Sequence, residues 1–321
     1  MLLFKQLEIT DKELFSKYLS EYNFNTYEYS FTTLYLWRKY CKVEYAVTHN
    51  TLIIKKTQED EGTYFMQPIG YNENNIRDII SELIIYKNNH PEMKVLFRDI
   101  EESFLNVLND ILNKDITIKE DENNFDYIYN VEELSNLSGK KYHSKKNHYN
   151  QFIKSYNVEI KEINDEKVIN DCLELSQKWF DNEKEKTSEL VFELQGIKEL
   201  LENKDYLGID TMAVYAEGKI AGFSIGEKVN DKMAIIHIEK CDPEYQGVYA
   251  YINRTFVMEK YNDLKYINRE EDLGVEGLRK AKMSYNPSGF AKKYIIENNN
   301  KENIKKCNRV VIINEKSACW R

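Results

Sequence analysis

His237-Ile238-Glu239-Lys240-Cys241-Asp242-Pro243-Glu244-Tyr245-Gln246-Gly247-Val248-Tyr249-Ala250-Tyr251 ends an apolar strand that starts at Met233, and runs through a turn into a helix. The spacing predicts that helix from Gly247 to about Tyr261, a strand from Lys265 to Arg269, three acids, and a second helix from Val275 to Tyr285. That helix closes with Ala281-x3-Tyr285-x3-Gly289-Phe290. A Gln-Gly turn at a helix N-terminus suits an anion, because bare backbone amides point at it.

With 321 residues, 42% hydrophobic and 13% aromatic, the chain is long enough for about two domains of ~100 to 200 residues each. Met1-Leu2-Leu3-Phe4-Lys5 is apolar only briefly, and no run of ~18 apolar residues follows, so neither signal peptide nor membrane span is expected. Five cysteines (Cys41, Cys172, Cys241, Cys307, Cys319) form no C-x-x-C pair, which fits reduced thiols in a cytoplasmic protein. A net charge of -9 opposes indiscriminate adhesion to nucleic acid or anionic lipid. The exception is the stretch Leu134 to Val158, which lacks acids and carries Lys140, Lys141, Lys145, Lys146 and Lys154. As a helix, it would bring Tyr142, Tyr149, Phe152, Ile153 and Tyr156 onto one stripe. Its lysines then read either as a solvated face or as phosphate contacts interleaved with aromatics.

The remaining periodicities read as one order of elements used twice. In the first half, strand 2–7, helices 11–22 and 31–41, and strands 43–48, 51–57 and 63–68 precede helix 75–89, strand 94–98, helix 101–113 and strands 116–119 and 127–131. The second half repeats this with strand 158–163, helices 165–182 and 188–203, strands 210–216, 219–229 and 232–241, the elements already named, and strands 290–297 and 309–314. The expected class is α/β (α+β): a domain at 1–133, a basic connecting helix at 134–157 and a domain at 158–321, each domain a mixed central sheet flanked by helices. Gln67-Pro68-Ile69-Gly70-Tyr71 stands where the first half would carry its own Gln-Gly turn. Any active site therefore belongs mainly to the second half, with the first half a partner in binding.

The order around Gln246 and Gly247 resembles the Gcn5-related N-acetyltransferase (GNAT) core, in which such a turn holds the pyrophosphate of acyl-CoA. Tyr249 and Tyr251 occupy later glycine positions of that turn. Three further segments, Phe31-Thr32-Thr33-Leu34-Tyr35-Leu36-Trp37-Arg38, Gly139-Lys140-Lys141-Tyr142-His143-Ser144-Lys145-Lys146-Asn147-His148, and Asn268-Arg269-Glu270-Glu271-Asp272-Leu273-Gly274-Val275-Glu276-Gly277-Leu278-Arg279-Lys280-Ala281-Lys282, resemble bacterial proteins related to the C-terminal domain of phosphatidylglycerol lysyltransferase. The resemblance covers nearly the whole chain. It implies two tandem GNAT-like domains, as in Fem-type aminoacyltransferases, and an aminoacyl-tRNA donor in place of acyl-CoA. A large RNA-borne donor would make sense of the two tyrosines.

Such transfer needs a base for the attacking hydroxyl or amine and a donor for the departing oxygen. Glu239, Glu271 and Asp272, at strand ends, are candidate bases or amine recognisers, and Tyr285 matches the position of a leaving-group acid. Lys140, Lys141, Lys145, Lys146 and Arg254, with Gln246, Gly247 and Tyr249, are the expected donor-binding set. Arg269, Glu270 and Lys282 are expected at the acceptor substrate, a small molecule or a lipid head group. No permanently bound cofactor is expected. No metal site is expected either, since adjacent acids diverge and the histidines are scattered. Hydrolase elbows, Walker loops and dinucleotide fingerprints are absent from the sequence. Two alternatives stay open at this point, an acyl-CoA-dependent N-acyltransferase and a catalytically silent binding protein.

Overall fold

The structure, a computed structural model, describes residues 2–112 and 116–298. The expected strand 309–314, Cys307 and Cys319 lie outside the described residues. In chain order the elements are β1 (Lys5–Gln6), α1 (Lys12–Leu19), α2 (Phe31–Trp37), β2 (Glu44–Thr48), β3 (Thr51–Gln58), β4 (Gly62–Phe65), α3 (Ile76–Asn89), β5 (Phe97–Ile100), α4 (Glu102–Leu112) and β6 (Ile116–Glu120). They continue with β7 (Asp126–Asn130), α5 (Val131–Asn136), α6 (His143–Ser155), β8 (Val158–Lys161), α7 (Glu166–Asn182), α8 (Ser188–Glu202), α9 (Lys204–Leu207) and β9 (Asp210–Ala216). The last are β10 (Lys219–Lys228), β11 (Met233–Cys241), α10 (Val248–Lys260), β12 (Tyr266–Asn268), α11 (Glu276–Met283), β13 (Gly289–Ala291) and β14 (Tyr294–Asn298).

Two mixed sheets with flanking helices result. Their orders are β1-β2-β3-β4-β5-β14-β6 and β8-β9-β10-β11-β12-β7-β13, so position by position the second sheet repeats the first. Among the described residues, the only parallel contact in each is at the centre, β4 with β5 and β11 with β12. The expected contiguous division differs from what folds. One compact unit comprises the described residues of Met1–Tyr22, Cys41–Asp121 and Lys293–Arg321, the other those of Asn23–Tyr40 and Glu122–Lys292. The physical reason is a reciprocal exchange: β7, last strand of the first repeat, pairs with β12 and β13, while β14 pairs with β5 and β6. The single strand expected at 290–297 is therefore two strands in two sheets. Periodicity reports that a strand exists but not which sheet completes its ladder.

In the second unit α10 is buried nearly all round, with Val248, Ala250, Tyr251, Ile252, Asn253, Thr255, Phe256 and Val257 inside. A helix apolar on every side needs cover on every side. The sheet supplies one cover, and α5 and α6 the other. The expected single basic helix at 134–157 is α5, a 3-10 turn at Lys140–Tyr142 and then α6. Tyr142 and Phe152 of the expected stripe are buried, whereas Ile153 is 45% exposed and falls outside it. Tyr251 stacks on Tyr149 at 5.4 Å and lies 4.8 Å from the Phe152 ring. Among the described residues no helix is long and apolar enough to cross a membrane.

Gly247 marks where α6 and α10 meet. Its φ is +91°, and a Cβ there would lie 2.3 Å from the backbone oxygen of His148 in α6. Only glycine meets both conditions. Gly247→Ala is expected to destabilise the second unit by about 2 to 4 kcal/mol, from left-handed strain and overpacking. Urea unfolding measures it; a midpoint unchanged from wild type would show that α6 does not pack there.

Candidate functional site

The site lies where β11 and β12 part. They pair only from Met233–Tyr266 to Ile235–Asn268. Beyond that β11 runs on to Cys241, and the other chain turns away through Glu270, whose φ is +58°. On its opposite edge β11 carries a bulge: Ile225 pairs with Ile238 and Gly226 with Ile236. His237 is the extra residue. Bulges re-aim side chains near functional sites, and here the bulged residue faces into the parting.

Two buried ionic groups span the gap. In the first, Arg269 Nη2 donates to Glu239 Oε1 at 2.8 Å, and the Asn253 amide of α10 lies against the guanidinium, where its oxygen accepts from Arg269 once the amide is oriented to match its donors. The other oxygen of Glu239, Oε2, is buried with no hydrogen-bond partner among the described residues. The Tyr285 ring lies 5.5 Å from the Arg269 guanidinium, and on it, 4.0 Å from the centroid, sits the ammonium of Lys145 from α6. Burial, reinforced by Glu239 and opposed by Arg269, pushes the Tyr285 phenol above its usual value of 10.0, so it is a proton donor at neutral pH. Burial and the nearby Arg269 pull Lys145 down from the ordinary lysine value, and Glu239 partly restores it.

In the second group His237 bridges two carboxylates, Nε2 to Glu227 at 3.0 Å and Nδ1 to Glu270 at 3.1 Å. Glu227 also accepts from Ser30 and, at 2.9 Å, from Thr32. Burial opposes a charge on the imidazole, but hydrogen bonds to the two carboxylates outweigh it and raise the pKa to about 9. Burial raises Glu270, with His237 opposing. The sequence offered little sign of this group, since a histidine or glutamate inside an apolar strand reads as a strand residue until its neighbours are known.

The remaining candidates separate. Glu271 accepts from the Tyr27 hydroxyl at 2.6 Å, and one oxygen each of Glu271, Glu28 and Asp126 lie within 4.8 Å of one another. Such a triad has the spacing to hold a cation or an ammonium group. The expectation that the acids after Arg269 diverge holds for neighbours in sequence; Glu28 and Asp126 come from elsewhere in the chain. Asp272, expected to be catalytic, is committed to structure. It accepts from Tyr127 at 2.5 Å, from Arg279 at 2.7 and 2.9 Å and from the Gly274 amide at 2.8 Å, and its side chain is fully buried. Lys282, expected at the substrate, donates to the carbonyls of Arg269, Glu270 and Glu271 at 2.6, 3.2 and 2.5 Å. Burial pulls its ammonium down to about 8, still charged at neutrality, and its three donors brace the bend that aims Arg269 and Glu270.

The expected donor-binding set also divides. Gln246 is tied to α6, accepting from Gln151 at 2.9 Å, while its amide donates to the Tyr156 hydroxyl at 3.3 Å. Gly247 faces the α6 backbone, and the Tyr249 hydroxyl donates to the Cys241 carbonyl at 3.4 Å. The turn is thus covered by the chain itself, contrary to a cradle of bare amides. Arg254 donates to the Ser135 carbonyl at 2.6 Å and lies over the Tyr149 ring, an anchor for α5 and α6. Lys141 pairs with Glu133 at 2.7 Å. Lys140 and Lys146 are exposed to solvent.

The His237 group makes stability depend on pH. A folded-state pKa near 9 against 6.5 when free means the imidazolium contributes fully below about pH 6.5 and is lost as pH rises through 9. The contribution is on the order of 3 kcal/mol. Lys282, depressed to about 8, slopes oppositely above that pH, so the comparison must be with a variant. Urea titrations from pH 6 to 9.5 should show wild type losing its advantage over His237→Gln as pH rises; a constant difference would contradict the bridge.

The model of the family described as phosphatidylglycerol lysyltransferase, C-terminal, matches residues 20–297. A conserved protein of unknown function from Bacteroides thetaiotaomicron has a crystal structure similar to this one, with a TM-score of 0.84 and 29% identity over 92% of this chain and 99% of its own. The structure of L-PGS from Bacillus licheniformis is similar with a TM-score of 0.64 and 16% identity, covering 94% of this chain and 96% of that one. An uncharacterised protein of Mycoplasmoides gallisepticum is 29% identical over 180 residues, 55% of this chain. The match spans 57% of that relative's length. With its sheet order repeated and its family model covering both repeats, the chain belongs to the phosphatidylglycerol lysyltransferase C-terminal family and has the tandem GNAT fold of acyltransferases of that type.

Proposed function

We propose that the protein transfers an aminoacyl group from aminoacyl-tRNA to a hydroxyl or amine acceptor at the parting of β11 and β12. The observation that carries this reading is the pairing of Glu239, whose Oε2 has no hydrogen-bond partner among the described residues, with Arg269, whose guanidinium lies 5.5 Å from the Tyr285 ring centroid. Glu239 takes the proton of the attacking hydroxyl or amine, whose lone pair forms the new bond to the ester carbon. The bond from that carbon to the ribose oxygen breaks, Tyr285 gives its proton to the ribose oxygen, and Glu239 returns the acceptor's proton to Tyr285. Glu28, Asp126 and Glu271 suit the ammonium of the aminoacyl group. Exposed Lys140 and Lys146 suit RNA phosphates. Packing of α6 on Gly247 stands against an acyl-CoA pyrophosphate at that turn. The family's name makes lysyl-tRNA with phosphatidylglycerol the first pair to try.

The test follows radiolabelled amino acid leaving acid-precipitable tRNA, with phosphatidylglycerol vesicles and a small-molecule cell extract as acceptors. Glu239→Gln and Tyr285→Phe are expected to slow label loss about 100-fold at saturating protein. The double variant Lys140→Glu, Lys146→Glu is expected to weaken tRNA binding about tenfold or more, with a shallower salt dependence. Label loss no faster with wild-type protein than without it, across all charged tRNAs and both acceptors, would refute the reading.

A further inference from the structure

The lysines of the basic segment are not equivalent. Lys140 and Lys146 face solvent and Lys141 is paired with Glu133. Lys145 alone turns inward, its ammonium 4.0 Å from the Tyr285 ring centroid and within the fields of Arg269 and Glu239. Among the described residues that ammonium makes no hydrogen bond or ion pair. A cation over an aromatic face is held by ~0.5 to 2 kcal/mol, which directs it while leaving its three N–H groups unused.

The other cations at the parting have no such freedom. Arg269 is engaged by Glu239 and Asn253, and Lys282 spends its donors on three carbonyls. A half-buried donor without an acceptor is unfavourable until an oxygen arrives, and it acts more strongly there than in water.

We propose that Lys145 donates to the carbonyl oxygen of the aminoacyl ester and stabilises the negative charge that oxygen gains, instead of contacting RNA phosphate. The proposal rests on the aminoacyl-transfer reading. As the acceptor adds to the ester carbon, the carbonyl π pair moves onto the oxygen facing Lys145. When the pair returns, the bond to the ribose oxygen breaks and that oxygen takes the Tyr285 proton. Lys145 keeps its own protons throughout and acts by charge and hydrogen bonding.

The experiment separates binding from reaction. Lys145→Met, which keeps the stem, should bind tRNA within about twofold of wild type yet release label about 100-fold more slowly at saturating protein. Lys145→Arg, which keeps a charged donor, should recover part of the rate. Acetic anhydride labelling of the wild-type chain gives a second measurement that needs no variant. Acetylation of Lys145 should fall with tRNA carrying a stable 3′-amide-linked amino acid and stay unchanged with uncharged tRNA.

Protection by uncharged tRNA, or a Lys145→Met variant that loses binding and keeps its saturated rate, would make Lys145 a phosphate contact and overturn the proposal. A Lys145→Met variant unchanged in both would overturn it too. Wild-type protein that binds tRNA but does not hasten label loss would instead refute the transfer reading, and this proposal with it.

Discussion

Everything at the site depends on β11 and β12 ceasing to pair after Ile235 and Asn268. A parallel pair that opens midway exposes backbone and side chains that the ladder would otherwise have hidden. Charged side chains reach across the opening. Arg269 reaches Glu239 and Glu270 reaches His237, each from the strand that turns away to the strand that continues. Removing one partner of a buried pair leaves an uncompensated charge, so the spacing of the two strand ends and the ionic groups between them hold each other in place. Among the described residues, the arrangement also leaves Glu239 Oε2 buried without a hydrogen-bond partner.

Helix α6 links the sheet's interior to its exterior. It is required to cover α10, whose apolar residues run nearly all round. Having settled there, it packs against the Gly247 backbone and points Lys145 toward Tyr285. Tyr249 and Tyr251 gain a physical explanation from the same packing. Tyr251 is a stacking partner for Tyr149, and Tyr249 closes on the Cys241 carbonyl. Tyr251 therefore helps build the interface of α6 and α10, Tyr249 ties α10 to the end of β11, and the exposed lysines of α6 lie outside that interface.

Sequence periodicity was a good guide to elements and a poor one to partners. Most helices and strands fall within a few residues of where the apolar spacing places them. The division into contiguous halves does not match the folded units, because strand exchange between sheets leaves no trace in a strand's own residues: β7 and β14 alternate as any half-buried strand would. Of the candidate residues, Glu239, Arg269, Glu270 and Tyr285 do come together, since strand-end acids and a tyrosine at helical spacing are readable locally. Asp272 and Lys282 read much like Glu271 and Lys145 in sequence, yet they are occupied by structural hydrogen bonds. Asn253, Glu227 and His237 gave no signal because the groups they meet lie far from them in sequence.

By itself the sequence determined the repeated order of elements, the Gln-Gly turn before a helix, the isolated basic segment and the acids after β12. These follow from composition and spacing, which are properties of neighbours along the chain. Only the tertiary structure decided which sheet each last strand joins, that α6 covers the turn, that His237 bridges two carboxylates, and that Lys145 alone of the basic segment faces inward. Each of those depends on groups far apart in sequence sharing one buried space, where an unmatched charge or donor is costly and its partner must come from elsewhere in the fold.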